Sequence, residues 1–135
     1  MDPRKDLDTA ILFLASDAPF RKVMSEILDS EGYVVMPVSD IAGAVDQLKV
    51  GPPDLLIIRH YTEGMSGHDA AMYLRTLCPG IPVLLMGGLL DDDRLENREV
   101  LQGFEIFPKP FEADELLEKV KEVLAKHSKQ RGPQV

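Results

Sequence analysis

Pro53-Asp54-Leu55-Leu56-Ile57-Ile58-Arg59-His60 is the stretch around which the chain is organised. Four consecutive apolar residues, opened by a proline turn and closed by two basic side chains, read as a short strand buried on both faces of a sheet. Strands of that kind are central in parallel sheets. In open parallel sheets, ligands and chemistry gather where the carboxyl ends of central strands emerge, so Arg59 and His60 stand where a site is expected.

The flanking sequence supplies the rest of such a sheet. Thr9 to Leu14 is a compact apolar run, strand one. Asp17-Ala18-Pro19 starts a helix, with an oxygen-bearing cap and a proline in the first turn, where a missing N–H costs nothing. Phe20, Val23, Met24, Ile27 and Leu28 follow at helical spacing as one apolar stripe, and Gly32 ends the helix. Tyr33 to Met36 reads as strand two, with Pro37 after it marking an edge. Ser39 or Asp40 caps a second helix that buries Ile41, Ala44, Val45 and Leu48, and Gly51-Pro52-Pro53 turns into strand three.

A loop through Gly64 and Gly67 leads to a third helix, from about His68 to Cys78, broken by Pro79-Gly80. Pro82 to Met86 is a wholly apolar fourth strand. Gly87-Gly88 then releases the chain toward a weakly striped fourth helix over residues 93–102, with Leu95, Val100 and Leu101. Glu105-Ile106-Phe107 is a short charged fifth strand, placed at the other edge. A fifth helix, from Ala113 to about Lys126, presents Leu116, Leu117, Val120, Val123 and Leu124 on one face. Five alternations of strand and helix predict a doubly wound parallel sheet with helices on both faces. The apolar strands one, three and four belong inside and the marked strands two and five at the edges, giving the order 2-1-3-4-5. The switch point then falls between strands one and three, setting Ala15-Ser16-Asp17 across a cleft from Arg59-His60.

Composition narrows the function. The 135 residues suffice for one domain without disulfides or a structural metal. We divide them into a short extension (1–8), the folded domain (9–127) and a polar tail (128–135). A net charge of −8 argues against nucleic acid, whose binding leans on clustered Lys and Arg. No apolar run reaches membrane-spanning length, the first residues lack a signal-peptide core, and the single cysteine, Cys78, cannot form an internal disulfide. A cytoplasmic location is the expectation.

The motifs, taken together, make the chain resemble the receiver domain of bacterial two-component response regulators over about residues 9–126. The resemblance is carried by Ile11-Leu12-Phe13-Leu14 with a short acidic turn and Arg21, by Gly32-Tyr33-Val34-Val35, and by Pro53-Asp54-Leu55 with Gly64-Met65-Ser66-Gly67. Ile81-Pro82-Val83 and above all Lys109-Pro110-Phe111 with Glu115-Leu116 complete it. It implies the flavodoxin-like three-layer sandwich. It also implies a phosphoryl-accepting aspartate ending strand three, two acidic residues after strand one that help hold Mg²⁺, a Thr or Ser ending strand four, and a lysine after strand five. Laid onto this chain, the acceptor position is Arg59, the acidic pair falls on Ala15 and Ser16 beside Asp17, and the hydroxyl position is Gly87. The aromatic switch position is Ile106, and Lys109 alone matches.

These departures point to a degenerate receiver. A guanidinium stays protonated and cannot act as a nucleophile, and a pocket without its carboxylates loses the oxygen ligands that Mg²⁺ needs. At ~5 Å and an effective dielectric of ~20, Arg59 and Lys109 repel by about 3 kcal/mol. A carboxylate is therefore expected beside Arg59, either Asp17 or Glu63. The expectation is a non-enzymatic interaction module without cofactor or metal. It would dock a protein partner or a second copy through the face of helix four, strand five and helix five, and bind neither nucleic acid nor membrane. Two alternatives stand beside it: an anion- or nucleotide-binding flavodoxin-like protein, with Arg59 and Lys109 on the anion, and a receiver phosphorylated at Ser16 or Asp17. Ser66-Gly67-His68-Asp69 reads as a helix start rather than a hydrolase triad, Asp91-Asp92-Asp93 as the acidic opening of helix four, Cys78 as a half-buried thiol, and Leu89-Leu90 either as packing under helix four or as part of an exposed apolar patch on the face of helix four, strand five and helix five.

Overall fold

The computed structural model describes residues 9–59, 61–62, 65–86, 105–107 and 112–131. In chain order these form β1 (Ala10–Leu14), α1 (Ala18–Ser30), β2 (Val34–Val38), α2 (Ile41–Val50) and β3 (Leu55–Arg59). A small pair follows, β4 (Tyr61–Thr62) and β5 (Met65–Ser66), then α3 (Gly67–Leu77), β6 (Val83–Met86), β7 (Glu105–Phe107) and α4 (Ala113–Arg131). Helix four of the sequence reading, together with Gly87, Leu89, Leu90, Asp91 to Asp93, Lys109, His60 and Glu63, lies outside the described residues, as do the extension 1–8 and the last four residues of the chain.

The main sheet has the order β2-β1-β3-β6-β7, every pairing parallel. With β6 and β7 as the fourth and fifth strands of the sequence reading, this is the order 2-1-3-4-5. Leu14 pairs with Val38 on one side and Ile58 on the other, and Arg59 pairs with Met86. Alternation along the strands sorts the core into two layers. Ile11, Phe13, Leu55, Ile57, Leu84 and Met86 face α1 and α4, meeting Met24, Leu28, Leu116, Val120 and Val123. Leu12, Leu14, Leu56, Ile58, Val83 and Leu85 face α2 and α3, meeting Ala44, Ala70, Ala71 and Leu74. β1, β3 and β6 are thus covered on both faces, which is why they read as unbroken apolar runs.

The helix ends follow their signals. The Asp17 carboxylate accepts from the Phe20 N–H at 3.2 Å with Pro19 in the first turn, and the Asp40 carboxylate accepts from the Gly43 N–H at 2.8 Å. Gly32 leaves α1 at φ 99°, in the left-handed region that glycine enters without steric cost. Asp54, ahead of β3, ties the strand to its neighbour twice: its N–H donates to the Ala10 carbonyl at 2.8 Å and its Oδ2 accepts from the Ala10 N–H at 2.9 Å.

Three details differ from the sequence reading. Pro37 lies inside β2 rather than beyond it, which an edge strand tolerates because the missing N–H can lie on the unpaired side. Val23 is half exposed, since it stands at the margin of the α1 stripe while Phe20, Met24, Ile27 and Leu28 make the seam. The last helix continues to Arg131, so residues 128–131 are helical: between Lys126 and Arg131 no helix breaker occurs, and Gly132-Pro133 is the first stop signal.

Candidate functional site

β1 and β3 end side by side at the switch point, and their continuations form the candidate site. After Leu14 the chain passes buried Ala15, half-buried Ser16 and exposed Asp17 before α1 begins. The Ala15 N–H is held by the Val38 carbonyl at 3.1 Å. Arg21, on the first turn of α1, reaches back so that its Nη1 donates to the Ala15 carbonyl at 2.7 Å and the Ser16 carbonyl at 3.4 Å. A helix-borne guanidinium thereby fixes the β1–α1 turn.

Arg59 closes β3 on the opposite side. Its place in the alternation continues Leu55 and Ile57, so it projects to the α1 side of the sheet. There its Nη1 lies 3.5 Å from Asp17 Oδ2 and its Cζ lies 4.1 Å from the centre of the Phe20 ring. Phe20 in turn leans on buried Phe13, the ring centroids 6.1 Å apart. One cation thus bridges the β3 end, the β1–α1 turn and the first turn of α1. Of the two carboxylates expected beside Arg59, Asp17 meets it, with one oxygen on the Phe20 N–H and the other facing the guanidinium. The side chains are 22% and 51% exposed, which places the pair among solvent-screened ion pairs of about 0.2–1 kcal/mol.

Of the other residues read as site positions, Ile106 lies in β7 opposite Leu85. Gly87 and Lys109 belong to the segments outside the description. His68 is buried in the first turn of α3 while Asp69 beside it is exposed, which suits a helix start. Burial pushes the Cys78 thiol up from its ordinary value, as for a half-buried sulfur that packs rather than reacts.

The site's donor set bears on the metal that the receiver resemblance implies. A hard divalent cation needs several oxygen ligands. Here the Ala15 side chain offers none, the Ala15 and Ser16 carbonyls already accept from Arg21, and the Asp17 carboxylate faces a guanidinium. Among the described residues no group of three or more His, Cys, Asp or Glu side chains could hold a metal ion. The described residues of this cleft do not fit Mg²⁺.

Sequence reasoning missed two features: Phe20 as the surface on which Arg59 rests, and the antiparallel pairing of Tyr61 with Ser66 and Thr62 with Met65 just after the site.

A parallel sheet in this order, helices on both faces and a cleft where β1 and β3 part define the flavodoxin-like receiver class. The model of the response regulator receiver domain matches residues 11–121, and the chain belongs to that family. Among curated proteins it is 25% identical over 118 residues to sporulation initiation phosphotransferase F of Bacillus subtilis, covering 87% of this chain and 95% of that protein. It is 27% identical over 121 residues to the phosphate regulon transcriptional regulatory protein PhoB of Escherichia coli, covering 87% of this chain but 52% of PhoB. Among solved structures, the response regulator TrrA of Thermotoga maritima, in complex with Mg²⁺ and BeF, superposes with a TM-score of 0.73 at 25% identity, covering 85% of this chain and 98% of that one. A CheY-like receiver domain protein from Methanospirillum hungatei superposes with a TM-score of 0.81 at 22% identity, covering 91% of this chain and 98% of that one. No described helix is long and apolar enough to cross a membrane.

Proposed function

We propose that this receiver domain is a non-catalytic signalling module, working by protein–protein contact in a cytoplasmic two-component or phosphorelay setting without aspartyl phosphorylation. The observation that carries this reading is Arg59 at the carboxyl end of β3, with its guanidinium on Asp17 and Phe20. In the family that strand ends on the phosphoryl-accepting aspartate. An arginine there is charged at every physiological pH and offers no nucleophilic lone pair.

The same cation takes over a mechanical task. Where a metal ion and phosphoryl group would join the β3 end to the β1–α1 turn, Arg59 joins them by its own side chain, and Arg21 fixes the turn from the other side. The module then presents one arrangement of this end of the sheet. Its partner-facing surface in this reading is the side of the sequence-predicted helix four, β7 and α4, where Gly87 and Ile106 replace the hydroxyl and the ring that couple phosphorylation to that side in the resemblance.

Calorimetric titration with Mg²⁺, and with Mg²⁺ plus beryllofluoride as a phosphoryl mimic, tests the reading. No saturable heat is expected from the wild-type chain, and stoichiometric uptake would overturn it.

A further inference from the structure

β2 is an edge strand, paired among the described residues with β1 alone, and the hydrogen bonds of that pair show which way each of its residues turns. The Val34 N–H donates to the Thr9 carbonyl at 2.8 Å, and the Val38 carbonyl accepts from the Ala15 N–H at 3.1 Å. In a parallel ladder both backbone groups of every second residue face the same neighbour. Val34, Met36 and Val38 therefore face β1, while Val35 and Pro37 turn to the open side. Proline has no N–H, so Val35 is the one residue of β2 that turns a donor outward. In other respects the strand is suited to pairing: Val34-Val35-Met36-Pro37-Val38 carries no charge, and Val34 is 49% exposed. A short, uncharged, valine-rich edge segment without proline is the pattern that recruits strands from other chains.

We infer that Pro37 closes this edge, and that the partner it keeps out is the β2 edge of a second copy of the chain. Two β2 strands can meet antiparallel about a twofold axis at Met36, a contact in which the same patch serves both copies. Residue 35 of each copy then stands opposite residue 37 of the other, in hydrogen-bonded pairs that exchange both N–H···O bonds. In each pair the Val35 N–H reaches the carbonyl of residue 37, and an N–H at residue 37 would reach the Val35 carbonyl. Proline at 37 removes the second bond from both pairs, and its ring stands where the partner backbone must approach. Half of the central ladder is lost before any side chain is considered. The opposite edge of the sheet, β7, is three residues long and includes Glu105, another way of blunting an edge. Contacts of this module with other proteins are therefore made by surfaces other than strand addition at β2. The inference is independent of the phosphorylation reading, since β2 lies on the far side of β1 from Arg59.

Sedimentation velocity of the full chain from about 5 to 500 µM reads it, with the wild type beside Pro37→Val and Pro37→Thr, which restore the donor, and beside Pro37→Lys, which restores it but sets a charge on the edge. Self-association at least about tenfold stronger than wild type in the Val and Thr variants, with slowed hydrogen exchange at the amides of residues 35 and 37 and neither effect in Pro37→Lys, supports the inference. Val and Thr variants that associate no more than wild type, association without protection at residue 35, or equal association in Pro37→Lys overturns it. Far-UV circular dichroism confirms that each variant is folded, which is expected because Pro37 is exposed and the pairing of Val34, Met36 and Val38 with β1 is untouched.

Discussion

The guanidinium of Arg59 rests on the ring of Phe20, Cζ to ring centre 4.1 Å, and this contact locks the end of a central strand to the start of the first helix. Removing it tests the lock. A partly exposed cation–π contact contributes about 0.5–1 kcal/mol and the Asp17 pair about 0.2–1, so Arg59→Ala is expected to cost roughly 1–2 kcal/mol in urea unfolding. Arg59→Lys, which keeps the charge but loses the planar group, should fall between. A stability equal to wild type in Arg59→Ala would show the bridge to be idle.

Asp17 has two tasks that substitution can separate. Asn caps a helix about as well as Asp, so Asp17→Asn removes the ion pair while sparing the bond to the Phe20 N–H, and should cost less than about 1 kcal/mol. Asp17→Ala loses both and should cost about 1–2. In a double-mutant cycle with Arg59→Ala, the coupling should vanish at high salt.

Asp54 pins β3 to β1 through the Ala10 N–H. Loss of a partly buried, charge-assisted bond costs about 1.5–3 kcal/mol, the range expected for Asp54→Ala. Hydrogen exchange should locate the effect, with the Ala10 amide losing protection before those of Leu12 and Phe13 at the sheet centre.

The Cys78 thiol is raised by burial, which fixes the sign of its pH dependence. Because the folded state disfavours the thiolate, the unfolded chain ionises first. The sulfur's contribution is intact below the ordinary thiol pKa and declines as pH rises through the raised one. Stability should fall more steeply above the ordinary thiol range in wild type than in Cys78→Ser, and iodoacetamide should modify native Cys78 more slowly than free cysteine at neutral pH.

What was legible in the chain follows from which interactions are local. The caps at Asp17 and Asp40, the turn at Gly32 and the three apolar runs carry their signal within a few residues, and the sheet order follows from which strands bear a proline or a charge. The Arg59–Asp17 pair, 42 residues apart in sequence, was reachable as one of two candidates because the switch point brings both ends together. Phe20 was read as core stripe, and only the three-dimensional placement of its ring beneath a guanidinium gives it a second task. The β4–β5 pairing has two residues per strand, too few for any alternation to show; the glycine of Glu63-Gly64 between them was its one cue.

The central claim, that a fixed cation has replaced the phosphoryl acceptor, is tested most directly by incubating the full chain with acetyl phosphate and Mg²⁺ and recording its intact mass. The account predicts an unmodified wild-type mass while a phosphorylatable receiver treated alongside gains a phosphoryl group. A stoichiometric phosphoryl adduct on the wild-type chain, at Ser16, Asp17 or any other residue, would contradict it.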